Sequence, residues 1–172
     1  MILVDVNVLV HAFHEGAPGH ARYRDWLDGV VALYIADFKF GNDECAKRLA
    51  GVGRYLEVVT RNLRIAAERT PMIIRHLLMP GHVDCCFRPV VDWTAEHLPG
   101  VRFQLHTGYV PCWRASGDAK MGRLTSADEV REAWGYLRTK DLQTGARLES
   151  RTRSAYGDTC RCPGLNGKKN WR

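Results

Sequence analysis

The stretch MIIRHLLMPGHVDCC, Met72 to Cys86, decides how the rest of the chain reads. Met72 to Met79 is an apolar run of the length of a buried strand. Pro80-Gly81 stops it, because proline has no N–H for a ladder and glycine accepts the turn that follows. A helix signal starts at once and runs from about Val83 to His97. It buries Cys86, Val90 and Leu98 and ends at Pro99-Gly100. One charge, Arg75, interrupts the apolar run. Arginine is seldom buried without a partner. In a parallel sheet Arg75 therefore either sits in a structural ion pair or points toward a ligand at the strand ends. Alternation puts Arg75, Leu77 and Met79 on one face.

The same pattern extends outward in both directions. Toward the N-terminus, Leu33 to Phe38 reads as a strand. Gly41-Asn42-Asp43 follows as a helix start, with Asn42 or Asp43 able to cap it. Leu56, Val59, Leu63 and Ala67 recur at helical spacing, which predicts a helix over Arg54 to Arg69. Toward the C-terminus, Val101 to Leu105 is a further strand. Ser126-Ala127-Asp128-Glu129 is a capping-box start for a helix carrying Val130, Trp134 and Leu137. Strands alternating with helices predict β/α units on a parallel sheet with right-handed crossovers. The expected fold class is α/β, a partial (β/α) barrel.

The composition agrees. A chain of 172 residues, 45% hydrophobic and 26% charged, suits one globular domain with a real core. No apolar run is long enough to span a bilayer. The opening MILVDVNVLV lacks the basic region and cleavage site of a signal peptide, so the expected location is cytoplasmic and no membrane is implicated. The net charge of +6 and pI of about 9.1 permit nucleic-acid contact without establishing it. Much of the excess lies beyond Gly145, in Arg147, Arg151, Arg153, Arg161, Lys168, Lys169 and Arg172. That segment is polar and aperiodic, and is expected to be a disordered basic tail.

The six cysteines are Cys45, Cys85, Cys86, Cys112, Cys160 and Cys162. A cytosolic setting keeps them reduced, and none forms a CxxC pair. Side chains of neighbouring helical residues diverge, so Cys85 and Cys86 are poorly placed to share a metal. Core packing is the expected role for most of these thiols. His76, His82, His97 and His106 are too scattered in sequence to be read as ligands, although His82 follows the Pro-Gly turn and can line a cleft.

At the N-terminus, Ile2 to Val4 is a short strand ending at Asp5. Val6-Asn7 and a second apolar patch, Val8 to Val10, follow it. A carboxylate at the end of a parallel strand suits metal binding, and helix capping is the competing role. MILVDVNVLVHAF, with HARYRDWLDGV after it, resembles the first strand and helix of PIN-domain ribonucleases of the VapC toxin type. The resemblance covers about residues 1–31. It implies that Asp5 is one of several carboxylates around magnesium or manganese, where a metal-bound water attacks an RNA phosphodiester. The surrounding text does not allow the family's later carboxylates to be carried onto Glu44, Asp84 or Asp92.

Residues from about 33 to 142 resemble the C-terminal half of radical S-adenosylmethionine proteins, in the branch called pyruvate-formate-lyase-activating-enzyme-like. YIADFKFGNDECAKRLAGVGRYLEVVTRNL and IIRHLLMPGHVDCCFRPVVDWTAEHLPGVRF carry the likeness. The resemblance implies an enzyme that cleaves S-adenosylmethionine at a 4Fe-4S cluster held by a CxxxCxxC loop. No CxxxCxxC occurs in this chain, and clusters need thiolate ligands. Asp37-Phe38-Lys39 matches the family's D-x-K motif, whose acid and lysine contact the amino-acid end of the cofactor. Arg75 matches an arginine that lines the same pocket. A carboxylate for the ammonium and cations for the carboxylate make charge-assisted bonds. A buried charge cluster that only stabilises an incomplete barrel is the competing role. Tyr109 and Trp113 belong to a loop that the resemblance puts near the active site, and packing is the competing role for both.

The expected organisation is thus a PIN-like segment over 1–31, a partial radical SAM β/α domain over 32–144 and the tail over 145–172. The leading functional expectation is a radical SAM family chain without its own cluster loop, impaired or a fragment. A protein partner would supply the missing half-barrel, or the chain would oligomerise to cover its sheet edges. The alternatives are a metal-dependent ribonuclease that takes RNA, and a non-catalytic fusion product.

Overall fold

A computed structural model describes residues 15–68 and 70–144 of the protein. Within them lies one parallel sheet. Strands β1 (Tyr34–Asp37), β2 (Met72–Leu77), β3 (Arg102–His106) and β4 (Gln143–Thr144) stand in the order β1-β2-β3-β4. Every neighbouring pair is parallel. The order never reverses, so the sheet has the succession of a β/α barrel and no topological switch point. The helices are α1 (His20–Val30), α2 (Asp43–Ala50), α3 (Tyr55–Ala67), α4 (Arg88–His97) and α5 (Ala127–Leu137).

The two faces of the sheet differ because strand side chains alternate. Tyr34, Ala36, Met72, Ile74, Phe103 and Leu105 pack on the helix side with Leu63, Val90, Val91 and Leu137. The register puts Asp37, Arg75 and Gln104 in one row on the other side. On that side Ile35 is 55% exposed and its register partner Ile73 is 8% exposed, so the face is open at β1 and closed beside it. Burying a side chain such as Ile74 or Phe103 stabilises by about 2 kcal/mol. An exposed ion pair contributes less than about 1 kcal/mol. The helix-covered face therefore carries the stability, and the open face is free for polar chemistry.

Local chemistry sets the element ends. Asn42 caps α2, its Oδ1 accepting the Cys45 N–H at 2.7 Å, and Gly51 closes that helix in the left-handed region at φ 69. Ser126 and Glu129 form the predicted capping box on α5. Glu129 does more, accepting the Gly81 N–H at 2.6 Å and two bonds from Arg123 at 2.7 Å. These bonds, Arg123 foremost, hold its carboxyl well below the usual range, against the opposing effect of burial. The turn at Pro80-Gly81 is thus tied to the start of α5. Thr125 adds a bond from its hydroxyl to the Leu78 carbonyl at 3.0 Å.

Several boundaries differ from the sequence reading. β2 ends at Leu77, two residues before the expected Met79. Leu78 still donates to the His106 carbonyl at 2.8 Å before the chain turns. β3 lies one residue later than expected. The helix expected over Val83 to His97 opens as a π-helical turn over Val83–Phe87. Pro89 explains part of this, since it has no N–H to give to the Cys85 carbonyl four residues back. That carbonyl accepts the Asn42 side-chain amide instead, at 2.6 Å. β4 was not foreseen, because two residues are too few to show alternation.

Arg54 to Arg69 folds as α3 over Tyr55–Ala67, and Arg69 lies outside the described residues. In α1, Tyr23 and Trp26 are exposed. The expected PIN-like strand with Asp5 and the basic tail over 145–172 both lie outside the described residues. Among those described, no helix is long and apolar enough to cross a membrane.

Candidate functional site

The carboxyl ends of β1 and β2 bring Asp37, Lys39 and Arg75 together. Asp37 and Arg75 are register partners on adjacent strands. Arg75 donates from Nε and Nη2 to Asp37 Oδ1, both at 2.8 Å. Lys39 Nζ stands 3.4 Å from the other carboxylate oxygen. Lys39 is held from behind, its backbone N–H donating to the Tyr55 hydroxyl of α3 at 3.0 Å. The three side chains are 39–49% exposed, so solvent reaches all of them. One carboxylate here faces two cations, and Gln104 continues the polar row on β3. Asp37, Lys39 and Arg75 thus meet as mutual ion pairs.

A second cluster lies at the helix starts that follow β1 and β2. Cys45, His82 and Cys85 place one donor atom each within 4.8 Å of one another. Cys45 Sγ and Cys85 Sγ are 3.8 Å apart, although forty residues separate them in sequence. Two backbone devices hold them. Asn42 bonds to Cys45 N–H and to the Cys85 carbonyl, clamping the start of α2 onto the π-helical turn. Gly41 allows the approach, because a Cβ there would stand 2.6 Å from the Cys86 carbonyl oxygen and 2.8 Å from that of Cys85. His82 is almost fully buried. Its Nδ1 lies 2.8 Å from the Pro80 carbonyl, which can only accept, so Nδ1 carries the proton. The lone pair on Nε2 then accepts from Arg48 Nη2 at 2.8 Å. Arg48 in turn reaches Asp118 at 3.6 Å.

Cys45 lies in the smaller apolar cluster with Cys85 packed against it, as the core reading of the cysteines expects, and what that reading does not show is the meeting of both with His82. Cys86 follows that reading too. It is buried in the smaller apolar cluster, and burial raises its thiol pKa strongly. Burial also raises that of Cys85. Cys112 is exposed, and Cys160 and Cys162 lie outside the described residues. Spacing alone hid the site, because its members sit on separate β/α units. The legible signal was local: a Gly-Asn cap after one strand and a Pro-Gly-His turn after the next.

The remaining candidates fall elsewhere. Tyr109 is buried, with its hydroxyl donating to the Met121 carbonyl at 2.9 Å. Trp113 is 74% exposed and has a left-handed backbone at φ 52, with Arg114 over its ring. His76 is buried under Phe87, and its Nδ1 lies 2.8 Å from the Phe38 carbonyl. Burial lowers its pKa to about 4. Asp84 pairs with Arg88, while Asp92 pairs with Lys140 and takes the Tyr136 hydroxyl. Among the described residues no group of three carboxylates comes within such reach, and Asp5 lies outside them. A cavity lined by Met72, Val101 and Gln143 opens at the amino end of the sheet, away from both clusters.

No protein-family model matches the chain. It is similar to the uncharacterized protein MJ0674 of Methanocaldococcus jannaschii, with 36% identity over 107 residues. The match takes in 62% of this chain and 31% of that protein, so the chain spans about a third of the length of the relative it matches.

Proposed function

We propose that residues 33–142 are a piece of a radical SAM β/α barrel that keeps the recognition end of an S-adenosylmethionine pocket. The observation that carries this reading is the meeting of Asp37, Lys39 and Arg75 at the carboxyl ends of β1 and β2. That is the end of a β/α barrel at which ligands bind. Asp37 is suited to accept from the cofactor's ammonium. Lys39 and Arg75 are suited to donate to its carboxylate. Their exposure leaves room for a ligand to replace one ion pair with another at little cost.

In the family S-adenosylmethionine supplies a group cleaved at its sulfonium beside a 4Fe-4S cluster. The residues of this chain do not fit that cluster. No CxxxCxxC is present, and the 3.8 Å between the Cys45 and Cys85 sulfurs suits a single ion, not a cluster. No chemical step is therefore assigned to a cluster here. What this chain's own residues do is bind and orient the amino-acid end. A separate chain would bring the cluster half of the barrel. Calorimetric titration of S-adenosylmethionine into the full, anaerobic chain tests the reading. Saturable heat that is lost in Arg75→Ala and kept in an Arg131→Ala control is expected. No heat with the unaltered chain overturns it.

A further inference from the structure

We propose that Cys45, His82 and Cys85 bind a single divalent ion, zinc by ligand chemistry, through two thiolates and one imidazole. A tetrahedral zinc with Zn–S bonds of about 2.3 Å separates two thiolates by about 3.8 Å. Cys45 Sγ and Cys85 Sγ stand 3.8 Å apart. One ring nitrogen of His82 lies with the two sulfurs, all three donors within 4.8 Å of one another, and Nε2 is the nitrogen with a lone pair to give, because Nδ1 donates to the Pro80 carbonyl. A Cys2His set is a known zinc set with one position open to water or an outside ligand. Cys86 Sγ lies 4.0 Å from Cys85 Sγ and is not one of the three donors that lie mutually within 4.8 Å.

The surroundings are those of a prepared site. The Pro80 carbonyl fixes the His82 tautomer from the far side, as the outer partners of metal-bound histidines do. Glu129 holds Gly81, and Asn42 spans the two cysteine loops. A cation already occupies the lone pair that the metal needs, since Arg48 donates to Nε2. Arg48 is 44% exposed with Asp118 beside it. The guanidinium can leave Nε2 and stay paired. Two cysteine protons are released on binding. The divalent ion with two thiolates is then neutral, which suits a site with two buried members.

The site does not depend on the S-adenosylmethionine reading, and its test is separate. The full chain, purified under reducing conditions, is stripped with a chelator and titrated with zinc and with cobalt. One ion per chain is expected, with thiolate-to-cobalt charge-transfer absorption. Cys45→Ser and Cys85→Ala should each weaken binding by more than the roughly 100-fold seen for changes to outer partners. Cys112→Ser should leave both readouts unchanged. Circular dichroism on every sample checks the fold. Cys85, only half-buried, gives the milder variant should Cys45→Ser unfold. A folded, reduced chain that binds neither metal overturns the proposal. So does wild-type affinity in folded Cys45→Ser or Cys85→Ala. An intact mass two hydrogens low, with no metal uptake after reduction, assigns the pair to a disulfide instead.

Discussion

The two clusters at the carboxyl side of the sheet are built in opposite ways. Asp37, Lys39 and Arg75 lie on the open face, where water reaches them and each charge already has a partner. Cys45 and His82 are buried, Cys85 is at their edge, and backbone contacts set their spacing. The first cluster can change partners cheaply. The second cannot open without moving two loops. A rigid set of soft donors suits a resident ion, and an exposed set of charges suits a ligand that comes and goes.

The strongest way to break this contrast is Gly41→Ala. The new Cβ would meet backbone atoms of Cys85 and Cys86, which cannot swing aside as a side chain can. A loss of about 3 kcal/mol in a urea titration is expected, as for an overpacked core, together with loss of metal binding. A change below about 0.5 kcal/mol would show that the loops are not held by this contact.

His76 sharpens the contrast within one strand, since Arg75 beside it faces solvent. The unfolded chain protonates this imidazole near 6.5, whereas the folded one resists until about 4. Between those values the unfolded state binds more protons, so stability falls as pH falls. By pH 5 the loss is about 2 kcal/mol. His76→Leu should flatten that slope between pH 6.5 and 4, as followed by thermal unfolding at several pH values. An unchanged slope would assign the acid sensitivity to other groups.

Smaller effects follow at the supports. Glu129→Gln weakens the charge-assisted bonds from Arg123 and Gly81 and should cost about 1.5 kcal/mol. It should also loosen metal binding, because the Pro80-Gly81 turn places His82. Arg75→Met should cost the least, under about 1 kcal/mol, because the pair it breaks is exposed. A larger loss in chemical denaturation would mean that the charges of the open face serve the fold before any ligand.

Much of the architecture was legible from local chemistry. The apolar run from Met72, the Pro80-Gly81 stop, the Asn42 cap and the Ser126 capping box each act within a few residues. Sequence spacing therefore exposes them. The same holds for Asp37 and Lys39, which share one strand end, and for Arg75, whose charge stands out in an apolar run. Folding alone decided that Asp37 would be the register partner of Arg75, because strand register depends on the whole sheet. Folding alone also joined Cys45 to His82 and Cys85. Their meeting needs two parallel β/α units side by side, a glycine at the point of contact and a proline that leaves the Cys85 carbonyl for Asn42. No periodicity within either segment encodes a distance between segments, so that site exists only once the sheet has formed.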